Sequence, residues 1–313
     1  MARFRKSPLS PQKAESIAQK QAAKIMARMQ GRDKPIKSVG TARGYTDCLK
    51  KVARYVNQQF NISLRELTPE QAKQYLDVRS EEVGQKTLDQ ERQAIQAMML
   101  NVTKALDISD KKDRLSFVKS TKDEIEKGRA YTSQQVSMIA SAQSEKHAIA
   151  TQIAHAAGLR AHELYTLKPL HDREVEYRKE REETKTTLFH ARNGIRYTVV
   201  GKGGLEREVL IPVHLVEKLE SRRLAQPQQV KDRGVFYRSH YNIGGGNNWS
   251  SSFSAASKRT LFRSSGAHGV RHSYAQERMR ELQRAGLSMS LAYKTVSHEL
   301  GHLREGITKV YLR

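Results

Sequence analysis

One stretch, "IRYTVVGKGGLEREVLIPV" at residues 195–213, alternates apolar and polar residues on both sides of a glycine-rich turn and predicts a β-hairpin. Elsewhere the apolar spacing is helical. From Thr41 the apolar side chains Tyr45, Leu49, Val52, Tyr55 and Val56 recur at three- and four-residue intervals. "LTPEQAKQYL" opens a second helix with Thr68 as its cap, Pro69 at its first position and Gln71 closing a capping box. A third helix runs from about Thr87 to Leu106 on Leu88, Ile95, Met98, Met99 and Val102. "YTSQQVSMIA" begins another at Thr132 or Ser133, and "HAIATQIAHAAGL" stops at Gly158. The rest reads as helix apart from the loop "NIGGGNNWSSS". One hairpin among many helices limits the fold to a mainly α chain with a small β-sheet, the α+β class.

The chain divides at polar stretches. Residues 1–37 read as a basic N-terminal arm, residues 38–125 as a small helical domain and residues 130–313 as a larger mixed domain. "SDKKDR" and the polar run that follows it read as the connection between the two domains. The arm holds ten Lys or Arg (Arg3, Arg5, Lys6, Lys13, Lys20, Lys24, Arg28, Arg32, Lys34 and Lys37) against Glu15 and Asp33. The run from His171 to Gly194 reads as a solvated, charged insertion.

Charge narrows the partner. Across 313 residues, 56 Lys+Arg stand against 33 Asp+Glu, a formal net charge of +23, which points to a polyanion. No apolar run approaches the length of a membrane span, and "MARFRKSPLSPQK" is not followed by the apolar core of a secretory signal, so a cytoplasmic protein without a membrane partner is expected. A single cysteine, Cys48, rules out an internal disulfide framework and reads as a helix-packing residue.

Two motifs near the end compete for the same letters. His298, Glu299 and His302 spell the H-E-x-x-H of zinc peptidases, in which two histidines one helical turn apart bind metal and the glutamate acts as base. Against that reading, Gly301 weakens the helix the site requires, and Glu305 and Thr308 stand where the longer motif has glycine and a third histidine. A zinc peptidase is kept as an alternative, distinguishable by metal content and chelator sensitivity.

The second constellation is spread along the chain. "GLRAHELYTL" carries Arg160 with Glu163 beyond it, and the hairpin turn "VVGKGGLER" presents Lys202. "HGVRHSYA" presents His268 and Arg271, and "LGHLREGITKVY" supplies His302 and, nine residues on, Tyr311. In their joint order and spacing these residues resemble the tyrosine recombinase (phage integrase) family, whose signatures include G-L-R-x-x-E-L, a lysine in a β-hairpin turn, H-x-x-R-H, and L-G-H followed by the tyrosine. The resemblance covers about residues 131–311, and the helical segment 41–106 is similar to the family's SAM-like core-binding domain.

The resemblance implies a site-specific recombinase in which two domains clamp duplex DNA. Tyr311 would attack the scissile phosphate, leaving a 3′-phosphotyrosine and a free 5′-hydroxyl. Arg160 and Arg271 would hold phosphate oxygens, because a guanidinium fork bonds two at once and stays ionised. Lys202 would protonate the leaving 5′-oxygen, His268 would assist proton transfer at the tyrosine, and His302 would donate to a phosphate oxygen. Glu163 would support the arginine, and His272 and His298 are read as structural. No metal or other cofactor is implied, since these cations supply the charge.

The expected partner is double-stranded DNA with a specific recombination site, bound by a homotetramer, with an accessory directionality factor and a role in a mobile element. The competing reading from another class is a non-catalytic DNA-binding regulator with the same fold. Two departures from the family pattern stand out: the insertion at 171–194, and Tyr311 followed only by Leu312 and Arg313 where many relatives carry a segment that docks on a neighbouring subunit.

Overall fold

The computed structural model describes residues 10–123, 128–302 and 305–312, with the side chains of 305 and 307 excepted. It divides into two compact units, Met1–Ile125 and Glu126–Arg313. The first unit contains helices α1 (Pro11–Met29), α2 (Val39–Gln59), α3 (Pro69–Ser80) and α4 (Gln85–Met98), the last continued by a π-helical turn to Thr103. The capping box at α3 forms as the sequence predicts. The Thr68 hydroxyl accepts from the Gln71 amide at 3.3 Å, and the Gln71 side chain accepts from the Thr68 amide at 3.1 Å.

Residues 11–37 depart from the expected arm. Ala18, Ala22, Ile25, Met26 and Met29 form one stripe of α1 and are buried with Leu49, Val52 and Val56 of α2 in a single core. The basic residues of α1 occupy its other faces, which is why charge counting alone reads the segment as solvated. Arg3, Arg5 and Lys6 lie outside the described residues. Cys48 packs in the same core, and burial, then the charge of Glu91, pushes its thiol up to about 11. Glu91 itself is buried and accepts from Tyr75 Oη at 2.9 Å and from Arg79 Nε and Nη2 at 3.0 Å, tying α4 to α3.

The second unit is built around α6 (Glu145–Ala157), which packs against its predecessor α5 (Ser133–Ser141). Strands β1 (Lys168–Pro169), β2 (Gly194–Val200) and β3 (Glu206–Pro212) form one antiparallel sheet in that order, with Thr198 opposite Glu208 and Val199 opposite Arg207. Helix α7 (Val213–Glu220) follows, then strands β4 (Arg223–Asp232) and β5 (Val235–Tyr241), which pair with each other in a separate two-stranded sheet. Helices α8 (Gly246–Leu261), α9 (Gly269–Arg284), α10 (Met289–Glu299) and α11 (Glu305–Lys309) complete the unit. No helix among the described residues is long and apolar enough to cross a membrane.

Two expectations are corrected. The β4–β5 hairpin stands where the sequence predicts helix; its strands carry "RLAQPQQVKD" and "VFYRSHY", and the first has a proline and no regular apolar alternation. The signal that could have found it is the turn, where Arg233 (φ 48°) and Gly234 (φ 85°) both take left-handed backbone suited to a two-residue hairpin. Helix α8 also begins inside the presumed loop. Trp249 lies within it, buried, and donates Nε1–H to Thr151 Oγ1 at 2.9 Å, so it packs.

The 171–194 segment is not simply solvated. Arg181, Thr184 and Phe189 are buried against α10. Arg181 Nη2 donates to His298 O at 2.7 Å, Thr184 Oγ1 lies 2.6 Å from His298 Nδ1, and the Phe189 amide donates to Glu299 Oε1 at 2.8 Å. Most of its charged residues face outward, while Arg181, Thr184 and Phe189 hold the end of α10. That end leads to the chain's candidate site.

Candidate active site

Gly158 ends α6 at φ 62°, where a Cβ would come within 2.7 Å of the Tyr274 ring, so only glycine fits this turn. The turn delivers Arg160 and Glu163. Glu163 is fully buried and gathers three arginines: Arg160 Nη1 donates to Oε1 at 2.7 Å, Arg207 Nη2 donates to Oε2 at 2.8 Å, and Arg271 Nη1 lies 3.8 Å from Oε2. Burial alone would raise its carboxyl pKa, but Arg207, Arg271 and Arg160 outweigh it and hold the group well below the usual carboxylate range.

Arg271, in the first turn of α9, is also fully buried. Nη1 donates to Gly158 O at 2.6 Å, and Nη2 donates to Leu300 O and lies 3.1 Å from His302 Nε2. Nε–H has no hydrogen-bond partner among the described residues. Burial pulls the guanidinium down to about 10, which still leaves it charged at neutral pH.

Tyr311 closes the cluster. Its ring is buried 4.6 Å from that of His272 and 5.2 Å from that of His302, with the Arg271 guanidinium 5.5 Å from its centre. Its hydroxyl lies 3.1 Å from His268 Nε2, and His268 stands immediately before the first residue of α9. The structure therefore brings Arg160, His268, Arg271, His302 and Tyr311 together. Lys202 is exposed on the β2–β3 turn; Gly201 before it lies against the site, its Cβ position 4.0 Å from Arg160 Nη1.

The histidines are neutral at pH 7. Burial first, then Arg271, Arg160 and Arg207, pulls His302 down to about 3. Desolvation, then Arg271, His272, Arg160 and Arg129, takes His268 to about 4; the residue is exposed overall, however, and water and salt screen these cations. A guanidinium can only donate, so His302 Nε2 is the acceptor from Arg271 and its proton sits on Nδ1, which lies 3.0 Å from Thr308 Oγ1. Donation from His302 Nε2 to a phosphate requires this bond to open and the ring proton to move.

In the unfolded chain His302 takes up a proton near pH 6.5, but in the fold only near 3, so its contribution to stability is present above 6.5 and is lost as pH falls. His268 and His272, lowered to about 4, add to the same slope. The urea midpoint is expected to fall between about pH 6.5 and 5, above the carboxylate range, and to fall less in His302→Gln. Equal slopes in the two proteins would refute the assignment.

The zinc reading fails on geometry. Helix α10 ends at Glu299, and Gly301 takes φ 69°, so His298 and His302 do not share a helical face. His298 turns to Thr184, His302 to Arg271. Glu299 is a buried structural hub: it accepts from Arg278 Nε at 2.9 Å, Arg278 Nη2 at 3.0 Å and Tyr274 Oη at 2.7 Å, besides the Phe189 amide. Glu299→Ala would leave buried Arg278 with Glu281, 3.0 Å from Nη1, as its remaining carboxylate partner and is expected to cost about 3 kcal/mol in urea unfolding. A catalytic base could be removed without that loss.

Sequence reasoning missed one member of the site. The ring of His272, expected to be structural, packs closest of the three histidines to Tyr311. Arg207 was not singled out; fully buried on β3, it joins Glu163 to Glu299 O, to which Nη1 donates at 2.7 Å. The available signal is its register: Arg207 stands on the same face of β3 as the apolar Val209 and Ile211.

Neither a protein-family model nor a curated protein sequence matches the chain. Solved structures do. XerH site-specific recombinase, in a post-cleavage complex with a palindromic difH substrate, matches over 98% of this chain and 95% of its own at 14% identity and a TM-score of 0.57. The Tn1549 transposon integrase, in complex with circular intermediate DNA, matches over 95% of each chain at 17% identity and a TM-score of 0.55. A lambda integrase tetramer bound to a Holliday junction matches over 95% of this chain and 76% of its own at 15% identity and a TM-score of 0.58. The fold is that of the tyrosine recombinases, mainly α with small antiparallel sheets.

Proposed function

We propose that this chain is a site-specific DNA recombinase that cuts and rejoins strands through a 3′-phosphotyrosine. The observation that carries the proposal is the placement of the Tyr311 hydroxyl 3.1 Å from a neutral imidazole and of its ring beneath Arg271, within a cluster of cations. Tyr311 Oη attacks the scissile phosphorus as its proton passes to His268 Nε2. The P–O5′ bond breaks, and the leaving 5′-oxygen takes a proton from Lys202 on its exposed turn. Charge growing on the nonbridging oxygens is met by Arg160 and Arg271, already fixed by Glu163 and by backbone carbonyls, so little reorganisation accompanies the reaction. Rejoining is the reverse reaction, in which a 5′-hydroxyl of another strand attacks the phosphotyrosine and releases Tyr311.

The partner is duplex DNA carrying a recombination site, bound by four copies of the chain; the similarity to a lambda integrase tetramer on a Holliday junction supports this assembly. The biological setting we favour is integration or excision of a mobile element, assisted by a directionality factor and carried out in the cytoplasm. The test is covalent capture. Protein expressed with its native DNA is denatured, attached DNA is digested to a nucleotide stub, and the modified peptide is located by mass spectrometry. A stub on Tyr311 is expected, and the sequenced ends identify the site. Reversible DNA binding with no covalent stub would favour a non-catalytic DNA-binding regulator.

A further inference from the structure

The β4–β5 ribbon has no task in the reaction above. Its pairing places Gln229 opposite Arg238 and Lys231 opposite Phe236. Opposed residues share a face, as do residues two apart, so these four side chains form one surface of the ribbon, and all four are exposed. Phe236 is 59% exposed, and the Lys231 ammonium lies 5.3 Å above its ring. Neither Lys231 nor Arg238 has an ion-pair partner among the described residues. The other face is anchored: the Tyr237 ring lies 5.6 Å from that of Tyr165 and 6.2 Å from that of His162, and Asp232 accepts from the Asn247 amide at 2.9 Å.

The anchoring places the ribbon beside the phosphate site. His162 stands two residues beyond Arg160. Burial lowers its pKa first, Glu163 partly offsets this, and Arg160, Arg233 and Arg271 lower it further, so the arginine at the ribbon tip shares a field with both phosphate-site arginines. An amide, two unpaired cations and an exposed aromatic ring on a two-stranded ribbon match what a DNA groove offers. The major groove admits such a ribbon, Lys, Arg and Gln pair with base edges and phosphates, and an apolar ring meets thymine methyl groups.

We propose that the outer face of the β4–β5 ribbon, through Gln229, Lys231, Phe236 and Arg238, binds in a groove of the duplex next to the scissile phosphate. The proposal rests on the recombinase reading. The ribbon holds its exposed face at a constant place relative to Arg160, so it adds a second DNA contact in register with the first.

The test uses the full chain and a labelled pool of random duplexes about 40 base pairs long, chosen to exceed a contact length of several turns. Binding is titrated with salt for the wild type, for a Lys231→Ala/Phe236→Ala/Arg238→Ala variant and for Lys231→Glu/Arg238→Glu, with thermal melts confirming equal folding. Loss of two cation contacts is expected to make the slope of log affinity against log salt shallower by about 1.8 in the alanine variant, with weaker binding still in the charge-reversed one. A photoreactive benzophenone residue in place of Phe236 is expected to crosslink to DNA. If the wild type binds DNA, but the variants keep its slope and the benzophenone captures no DNA or captures a second protein chain instead, the ribbon assignment falls and the recombinase reading stands. If the wild type itself binds no DNA, the recombinase reading fails and the ribbon assignment falls with it.

Discussion

Tyr311→Phe is expected to abolish the covalent protein–DNA adduct and strand exchange, by at least about four orders of magnitude, while leaving reversible DNA binding and folding near wild type. The structure separates the two effects. Phenylalanine keeps the ring that packs against His272 and His302 beneath Arg271, so the buried volume is conserved. What is removed is a single hydroxyl whose partner, His268, is an exposed residue that can turn to water. Denaturing gels of protein incubated with its DNA read the adduct, and gel shifts read the binding. An adduct that persists in the variant would show that another residue is the nucleophile. Loss of DNA binding together with the adduct would show that the hydroxyl serves recognition.

Glu163→Ala should have the largest effect on stability. The carboxylate is the counterion of Arg207 and Arg271, both fully buried, and it also receives the Arg160 side chain and the Arg160 amide. Its removal leaves two guanidinium groups in a low-dielectric interior with backbone carbonyls and the neutral His302 ring, but no carboxylate, as their acceptors among the described residues, and breaking a buried pair in this way costs about 3–5 kcal/mol. Glu163→Gln retains one acceptor and is expected to lose less. The pH dependence carries a sign. The folded carboxyl is held well below the 4.5 of a free glutamate, so its stabilisation is complete above that value and is lost progressively as pH falls below it. Urea unfolding of the wild type and Glu163→Gln at pH 7 and pH 3 should show a gap that narrows in acid. A gap that is absent at pH 7, or that widens in acid, would mean that Glu163 is not the counterion described here.

The same cluster explains why the motifs of the candidate site are legible in the chain while their support is not. Arg160, Lys202, His268, Arg271, His302 and Tyr311 stand in motifs defined by short spacings. Each motif is formed by its own local structure: a glycine that stops α6, a tight turn between β2 and β3, and the first turn of α9. Arg207 makes no local signal. Its role exists only because β3 passes Glu163 on one side and the end of α10 on the other, 44 and 92 residues away along the chain.

By itself, then, the sequence determined what depends on neighbours a few residues apart: the Thr68 capping box, the stop at Gly158, the hairpin around Lys202 and the α+β class. Backbone hydrogen bonds and caps act over one turn, and the hydrophobic period follows directly from them. Tertiary structure decided the rest. Residues 11–29 became a core helix because α2 offers an apolar stripe to cover theirs, and the 171–194 segment became a brace because α10 accepts its few buried side chains. Strand β4 became a strand through its pairing with β5 and through Asp232 at the start of α8, since its own residues carry neither period. His298, Glu299 and His302 spell a zinc motif only on a continuous helix. Gly301 breaks that helix, and burial against Arg271 and Arg278 assigns the letters to other partners. Burial and charge compensation are collective properties of residues far apart in sequence, and they are settled only when the chain is packed.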